Sequence, residues 1–329
     1  MKKRILITGA TGFIGFHLIE AALANDMEVY ANIRKSSNTD HLTGFPINYV
    51  ELDFESIYAL KKNIEEYKYH YIVHAAGVTK AKSLDDYHKF NAIYSRNLAI
   101  AAATSFHEIE KFVFVSSLAA LGPLSVQHAV LKDSSSAHPV TYYGKSKALA
   151  EAYLSSVKNL PLLIFRPTAV YGPRERDLLI ILKTIKRGFE VYIGQKDQQL
   201  SFIYVKDLAE LIIGSLKSAL KYKTYNVSDG NIYSRSALGT FAGKIMRKKT
   251  FRLNLPLPVV NRIAWCLEQA LKVFDRMPTL NVDKIQELTG PNWACDIENI
   301  KKDLGFMPRY QLEHGLNETI KWYHKNNWL

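Results

Sequence analysis

The sequence predicts an α/β fold, a doubly wound parallel sheet followed by a smaller, mostly helical C-terminal lobe. Three observations predict it. Short apolar runs with strand character alternate with helical patterns through the first half of the chain. A glycine-rich turn, Thr8-Gly9-Ala10-Thr11-Gly12-Phe13-Ile14-Gly15, joins the first run to the first helical pattern. From about Tyr171 onward helices become more frequent and strands shorter.

The elements follow in order. Arg4-Ile5-Leu6-Ile7 reads as a buried first strand, and Phe16 to Leu23 carries the apolar spacing of a helix. Residues 28–33, 47–52, 71–73, 112–115 and 162–165 read as strands two to six. The helical patterns at 87–106 and 143–157 are the longest between them. Residues 1–170 therefore form a first domain, joined by a returning strand at 224–227, and residues 171–329 form a second lobe. Asp207 is the expected N-cap of a helix running to Leu220. In such sheets ligands sit beyond the carboxyl ends of the strands.

Composition narrows the function. The 329 residues can bury a sizeable core without staples. Cys266 and Cys295 have no metal-ligand spacing and make no disulfide framework, which fits a reducing, cytoplasmic setting and no metal. The start of the chain lacks the apolar core of a signal peptide, and no apolar run is long enough to span a bilayer. The formal net charge of +12 favours anionic ligands, but only residues 244–252 are densely basic. With no nucleic-acid reading motif, a nucleic-acid partner is not expected.

Five stations follow the glycine turn. The glycine turn opens a helix, whose free N–H groups and dipole suit a pyrophosphate. After strand two stand Arg34 and Lys35, with no acid for ribose hydroxyls, which suits a 2′-phosphate and favours NADP over NAD. Asp53 and Phe54 follow strand three. His74-Ala75-Ala76-Gly77 follows strand four, where small side chains let a cofactor lie against the backbone. Ser116 and Ser117 close strand five. Tyr143 and Lys147, four apart, share one helix face. An ordinary tyrosine is a poor base at neutral pH, and a neighbouring ammonium would favour its phenolate.

Together these residues resemble an extended short-chain dehydrogenase/reductase of the NAD-dependent epimerase/dehydratase type. The resemblance also rests on Asn91, on Arg166-Pro167-Thr168-Ala169-Val170-Tyr171-Gly172-Pro173 and on Phe202-Ile203-Tyr204-Val205-Lys206-Asp207, so it spans about two thirds of the chain. It implies a Rossmann-type first domain and a substrate-binding second lobe. Gly9, Thr11, Gly12, Phe13, Ile14, Gly15, Arg34, Lys35, Asp53, Phe54, Ala75, Ala76, Gly77, Asn91, Ser116, Tyr143, Lys147, Pro167, Thr168 and Val170 would hold the cofactor. Tyr143 would be the proton donor or acceptor, Lys147 would hold the ribose, and Ser117 would bind the reacting oxygen. Thr79, Ser117 and Arg174 would meet the substrate.

The chain also departs from the family pattern. Leu200 stands where many sugar-nucleotide members carry an arginine for the substrate pyrophosphate. Leu118-Ala119-Ala120 follows Ser117 where dehydratases carry an acid pair, which disfavours dehydration. The expected activity is hydride transfer at a hydroxyl carbon by an oxidoreductase or epimerase acting on a small molecule, a nucleotide sugar or related sugar. The alternatives are an NADP-dependent reductase of an apolar alcohol/ketone pair, hydroxysteroid-like or dihydroflavonol-like, and a non-catalytic dinucleotide-binding regulator. The family commonly dimerises through two long helices per subunit, so a homodimer is expected. Residues 255–274 should form an amphipathic helix at the substrate mouth, with Val259, Ile263, Leu267, Leu271 and Phe274 on its apolar stripe. Burial of that stripe is one expectation, and weak peripheral contact with an anionic membrane is the other.

Overall fold

A computed structural model describes residues 2–272 and 282–329. Seven strands form one parallel sheet: β1 (Arg4–Thr8), β2 (Glu28–Ile33), β3 (Asn48–Glu51), β4 (Tyr71–His74), β5 (Lys111–Val115), β6 (Leu162–Pro167) and β11 (Lys223–Val227). Their spatial order is β11-β6-β5-β4-β1-β2-β3, so the winding reverses between β1 and β4. That reversal opens a crevice above the carboxyl ends of β1 and β4. The returning strand pairs in parallel with β6, Thr224 beside Ile164.

Strand alternation builds one core on each side of the sheet. Ile5, Ile7, Val29, Val73 and Val113 face Leu18 and Ile19 of α1 (Phe13–Ala24) and Leu208 and Ile212 of α7 (Val205–Ser215). Leu6, Ile72, Phe112 and Phe114 face the other way, onto α2 (Ile57–Tyr67), α4 (Tyr94–Thr104) and α5 (Tyr142–Ser156) through Leu60, Ile64, Leu98, Ala150 and Leu154. These strands are apolar on both faces, as a parallel sheet covered by helices requires.

The second lobe holds what the sequence pattern shows least. Two short strands, β7 (Ala169–Tyr171) and β10 (Phe202–Tyr204), pair in parallel and lead into a third core with Leu182, Leu316, Ile320 and Tyr323. The remaining strands are β8 (Phe189–Ile193), β9 (Gln199–Leu200), β12 (Tyr233–Ser234) and β13 (Phe251–Leu255). The remaining helices are α3 (Leu84–Tyr87), α6 (Arg176–Lys186), α8 (Ala237–Ile245), α9 (Leu257–Lys272), α10 (Val282–Leu288), α11 (Glu298–Leu304) and α12 (Leu312–Lys325).

Four expectations need correction. Asp207 is not an N-cap: α7 begins two residues earlier, and the Asp207 carboxylate accepts the Arg309 and Tyr310 N–H groups at 3.0 and 2.9 Å, tying the C-terminal segment to α7. The 87–106 pattern is not one α-helix, because π-helical backbone over His88–Ile93 separates α3 from α4. The last helical pattern starts at Leu257, since Leu255 ends a strand. That helix also buries a different stripe from the one expected. Val260 and Ala264 pack on Ile285, Ile193 and Leu255, while Val259, Ile263 and Leu267 stay exposed. The Leu271 side chain and Phe274 lie outside the described residues.

Candidate active site

The cradle for a phosphate is fixed by glycines that tolerate no side chain. Gly9 has φ +70°, and a Cβ there would lie 2.8 Å from the Ala75 carbonyl and the Ala76 nitrogen. A Cβ on Gly15 would lie 2.1 Å from the Gly9 oxygen. Gly12 N-caps α1 with no side-chain cap, so the first-turn N–H groups of Phe13, Ile14 and Gly15 have no side-chain acceptor. The Gly12 N–H itself turns back to the Gly9 carbonyl at 2.9 Å.

A buried polar chain then joins β1 to β4 and on to α4. The Ala76 N–H donates to Thr8 Oγ1, which donates to His74 Nδ1 at 2.7 Å. His74 Nε2 donates to Ser95 Oγ at 2.8 Å, because the Ser95 hydroxyl is already donated to the Asn91 carbonyl. Burial and the nearby Lys147 charge push His74 down to about 3, so it stays neutral and holds this one tautomer. Asn91 is thereby fixed at the π-helical turn. Its Oδ1 accepts the Val78 N–H at 2.7 Å, and its Nδ2 donates to Ser146 Oγ at 3.0 Å. Sequence reading placed Asn91 here but missed Thr8 and Ser95. Their signal was a polar residue closing an otherwise apolar strand and helix face.

The reacting groups come from β5 and α5. Thr141 caps α5 by accepting the Gly144 N–H at 3.0 Å. Gly144 lets the helix start against the turn after Ser117, because a Cβ there would lie 2.3 Å from the Ala119 carbonyl. That approach brings the Ser117 hydroxyl against the Tyr143 phenol, a contact that favours the phenolate. Lys147, one turn on, is buried and donates to the Val115 carbonyl at 2.7 Å, with its ammonium 4.2 Å from the Phe114 ring centroid. Burial lowers its pKa to about 7, while Glu151 pulls it back up.

Without a cofactor, burial raises the Tyr143 pKa well above the ordinary tyrosine range, and the Glu287 carboxylate of α10 adds to the rise. Ser117 opposes both. The protein alone therefore holds Tyr143 toward its neutral hydroxyl.

Other expected residues fall in three places. Ala75, Ala76 and Gly77 close β4 beside the glycine turn; a Cβ on Gly77 would lie 3.9 Å from Lys147 Nζ. Thr168 is buried beside Pro167, and its Oγ1 finds no partner among the described residues, as expected of a group that meets a bound molecule. Val170 lies partly buried on β7. Arg34 and Lys35 are exposed just past β2, which ends at Ile33; Asn32 donates to the Val50 carbonyl at 3.3 Å. Asp53 is exposed and accepts the Glu55 N–H, and Phe54 stacks on Tyr94. Thr79 is exposed, its carbonyl accepting the Tyr87 hydroxyl.

Two residues point elsewhere. The Ser116 hydroxyl donates to Glu151, which Arg166 clamps through both carboxylate oxygens, so the Ser116 side chain joins a buried ion pair. Arg174 does not face Ser117 or Tyr143. Its guanidinium lies 4.1 Å from the Phe16 ring centroid and 5.8 Å from that of Trp322, next to α1.

The glycine cradle and the unpartnered Thr168 hydroxyl fit a nicotinamide dinucleotide. Comparison with known proteins agrees. Residues 5–228 match the model of the NAD dependent epimerase/dehydratase family. The UDP-glucose 4-epimerase of Vibrio cholerae is 26% identical over 330 residues, covering 98% of this chain and 95% of that protein. The ceramide reductase of Caulobacter vibrioides is 24% identical over 331 residues, covering 99% of this chain and 96% of that protein. The crystal structure of UDP-glucose 4-epimerase from Thermotoga maritima with UDP-glucose matches in fold with a TM-score of 0.79 at 20% identity, over 98% of this chain and 99% of that one. With a dinucleotide cradle, a Ser117–Tyr143–Lys147 constellation and a family match over most of its length, this chain belongs to the NAD-dependent epimerase/dehydratase family of extended short-chain dehydrogenases/reductases.

Proposed function

We propose that this enzyme reduces a ketone to a secondary alcohol, or runs the reverse reaction, on an apolar substrate with NADP preferred over NAD. The Ser117 hydroxyl set against the Tyr143 phenol, one helical turn from the buried Lys147 ammonium, carries the reading. A half-buried phenol beside a serine hydroxyl suits the donor side of carbonyl reduction. Ser117 holds the carbonyl oxygen by a hydrogen bond, and Tyr143 passes it a proton as the carbon is reduced. Lys147, charged or neutral near neutral pH, sits where a ribose hydroxyl would reach it. The bound nicotinamide supplies the hydride.

The apolar substrate class rests on missing charge. Leu200 offers nothing to a pyrophosphate, and Arg174 is engaged on Phe16 and Trp322. Arg235 is spent holding the Gly194 and Lys196 carbonyls and Asn254. The ceramide reductase relative acts, by its name, on a lipid. The NADP preference rests on Arg34 and Lys35 and on the lack of an acid at the end of β2. A nucleotide-sugar epimerase is the second reading, favoured by the UDP-glucose 4-epimerase relative at 26% identity over nearly the whole chain.

The test is a substrate panel with the purified protein. Long-chain and steroid-type ketones should consume NADPH, read from nicotinamide absorbance. Interconversion of UDP-glucose and UDP-galactose with no net change in cofactor would instead establish the second reading. Inactivity toward the ketones, alongside that interconversion, would overturn the first.

A further inference from the structure

The second lobe carries a β-ribbon whose first half exposes apolar side chains. β8 and β13 pair in parallel, with Phe251 beside Phe189, Leu253 beside Val191 and Leu255 beside Ile193. Strand alternation puts these six apolar side chains on one face and Glu190, Tyr192, Arg252 and Asn254 on the other. On the polar face Glu190 is turned inward, Tyr192 is half-buried, and Arg252 and Asn254 are exposed. The Glu190 side chain is only 2% exposed; it pairs with Arg252 and accepts the Tyr192 and Thr250 hydroxyls. On the apolar face Phe189 is 45%, Val191 48% and Phe251 63% exposed, while Ile193, Leu253 and Leu255 are partly buried. A ribbon that met only water would be expected to put its apolar face inward.

Cations gather at the start of this ribbon. The Phe251 N–H donates to the Gly188 carbonyl at 2.8 Å, which brings the end of α6 against the turn before β13. Lys183, Lys186 and Arg187 on one side and Arg247, Lys248 and Lys249 on the other are all exposed. None of the six is in an ion pair among the described residues, and Glu190 is turned inward onto Arg252. At the other end of the ribbon, α9 packs on Ile193 and Leu255 and shows Ile263, Trp265 and Leu267 to solvent.

We propose that this face, the Phe189–Phe251 ribbon with its flanking cations, docks the enzyme on an anionic lipid bilayer. Exposed aromatic and aliphatic side chains insert shallowly at the headgroup boundary, and the unpaired cations supply attraction to anionic headgroups. A nucleic acid would use the cations and the phenylalanine rings but would leave Val191, Ile263 and Leu267 without a role. None of the patch residues belongs to the Ser117–Tyr143–Lys147 site, so vesicle binding and substrate choice are separate measurements.

Flotation of the full-length protein decides it, using vesicles of phosphatidylcholine alone and of equimolar phosphatidylcholine and phosphatidylglycerol. The wild type should float with the anionic vesicles, far less with the neutral ones, and be released by high salt. Phe251→Glu and the double variant Lys248→Glu/Lys249→Glu should each lower the floated fraction about tenfold. Their NADPH affinity should stay at the wild-type value, which shows that they fold. Phe189→Ser, on the neighbouring strand, replaces Phe251→Glu if that variant does not fold. Wild-type protein that floats with neither vesicle overturns the proposal, as does flotation that all the variants retain. A dimer that Phe251→Glu dissociates, without flotation, would assign the face to a second copy. Retardation of a single-stranded oligonucleotide, again without flotation, would assign it to nucleic acid.

Discussion

Lys147 Nζ donates to the Val115 carbonyl oxygen at 2.7 Å, across the end of the β5 strand. The bond holds the ammonium in a buried position beside Phe114 and Gly77. One turn earlier, the Tyr143 phenol is pushed up by burial and Glu287 and pulled back by Ser117.

Burial of Lys147 gives stability a pH dependence. Its folded pKa is lowered to about 7, below the ordinary lysine value, so the unfolded chain binds the extra proton between about pH 7 and pH 10. Stability from this group therefore rises with pH across that window, by at most about 1.4 kcal/mol per pH step. Urea unfolding of the wild type and of Lys147→Met at about pH 7 and about pH 9 measures it. The wild-type-minus-variant difference should grow at the higher pH. A difference that stays constant or shrinks would show that Lys147 keeps its charge in the folded protein.

Gly15→Ala should remove cofactor binding. The new methyl would sit 2.1 Å from the Gly9 oxygen, so the turn must open. Overpacking of this kind costs about 1–3 kcal/mol or more. Calorimetric titration with NADPH should show at least about a tenfold loss of affinity. Wild-type affinity would mean that the turn shape does not govern the pyrophosphate site.

Arg34→Ala should weaken NADPH by about tenfold and leave NADH nearly unchanged, because only a 2′-phosphate needs the guanidinium. Wild-type protein that binds both cofactors equally, or a variant that loses both in parallel, would remove Arg34 from cofactor selection.

The sheet was legible because its residues speak twice. Ile5, Leu6 and Ile7 are apolar on both faces, and the glycine turn after them has one workable geometry. The strand ends at 33, 74, 115 and 167 then located the stations. Long-range contacts were not legible. Nothing local tells that Asp207 serves Arg309 and Tyr310, or that Ser116 turns to Glu151 and Arg166. Arg174 reads as a free cation until Trp322, far along the chain, is packed beside it. The α9 stripe misled for a related reason. Val259, Val260, Ile263 and Ala264 make the helix apolar on more than one side, and only the Ile193 and Leu255 end of the ribbon selects the buried face. The neutral state of Tyr143 depends on enclosure and on Glu287, which no spacing in α5 reports.

The most direct measurement is the turnover of Tyr143→Phe on whichever substrate the panel identifies, with cofactor affinity measured on the same preparation. The variant keeps the ring and loses only the hydroxyl proton. We expect NADPH affinity within about twofold of wild type and turnover lowered by roughly 10²-fold or more, the loss expected of a general acid. Wild-type turnover in Tyr143→Phe, with cofactor still bound, would contradict the assignment of the Tyr143 hydroxyl as the proton donor.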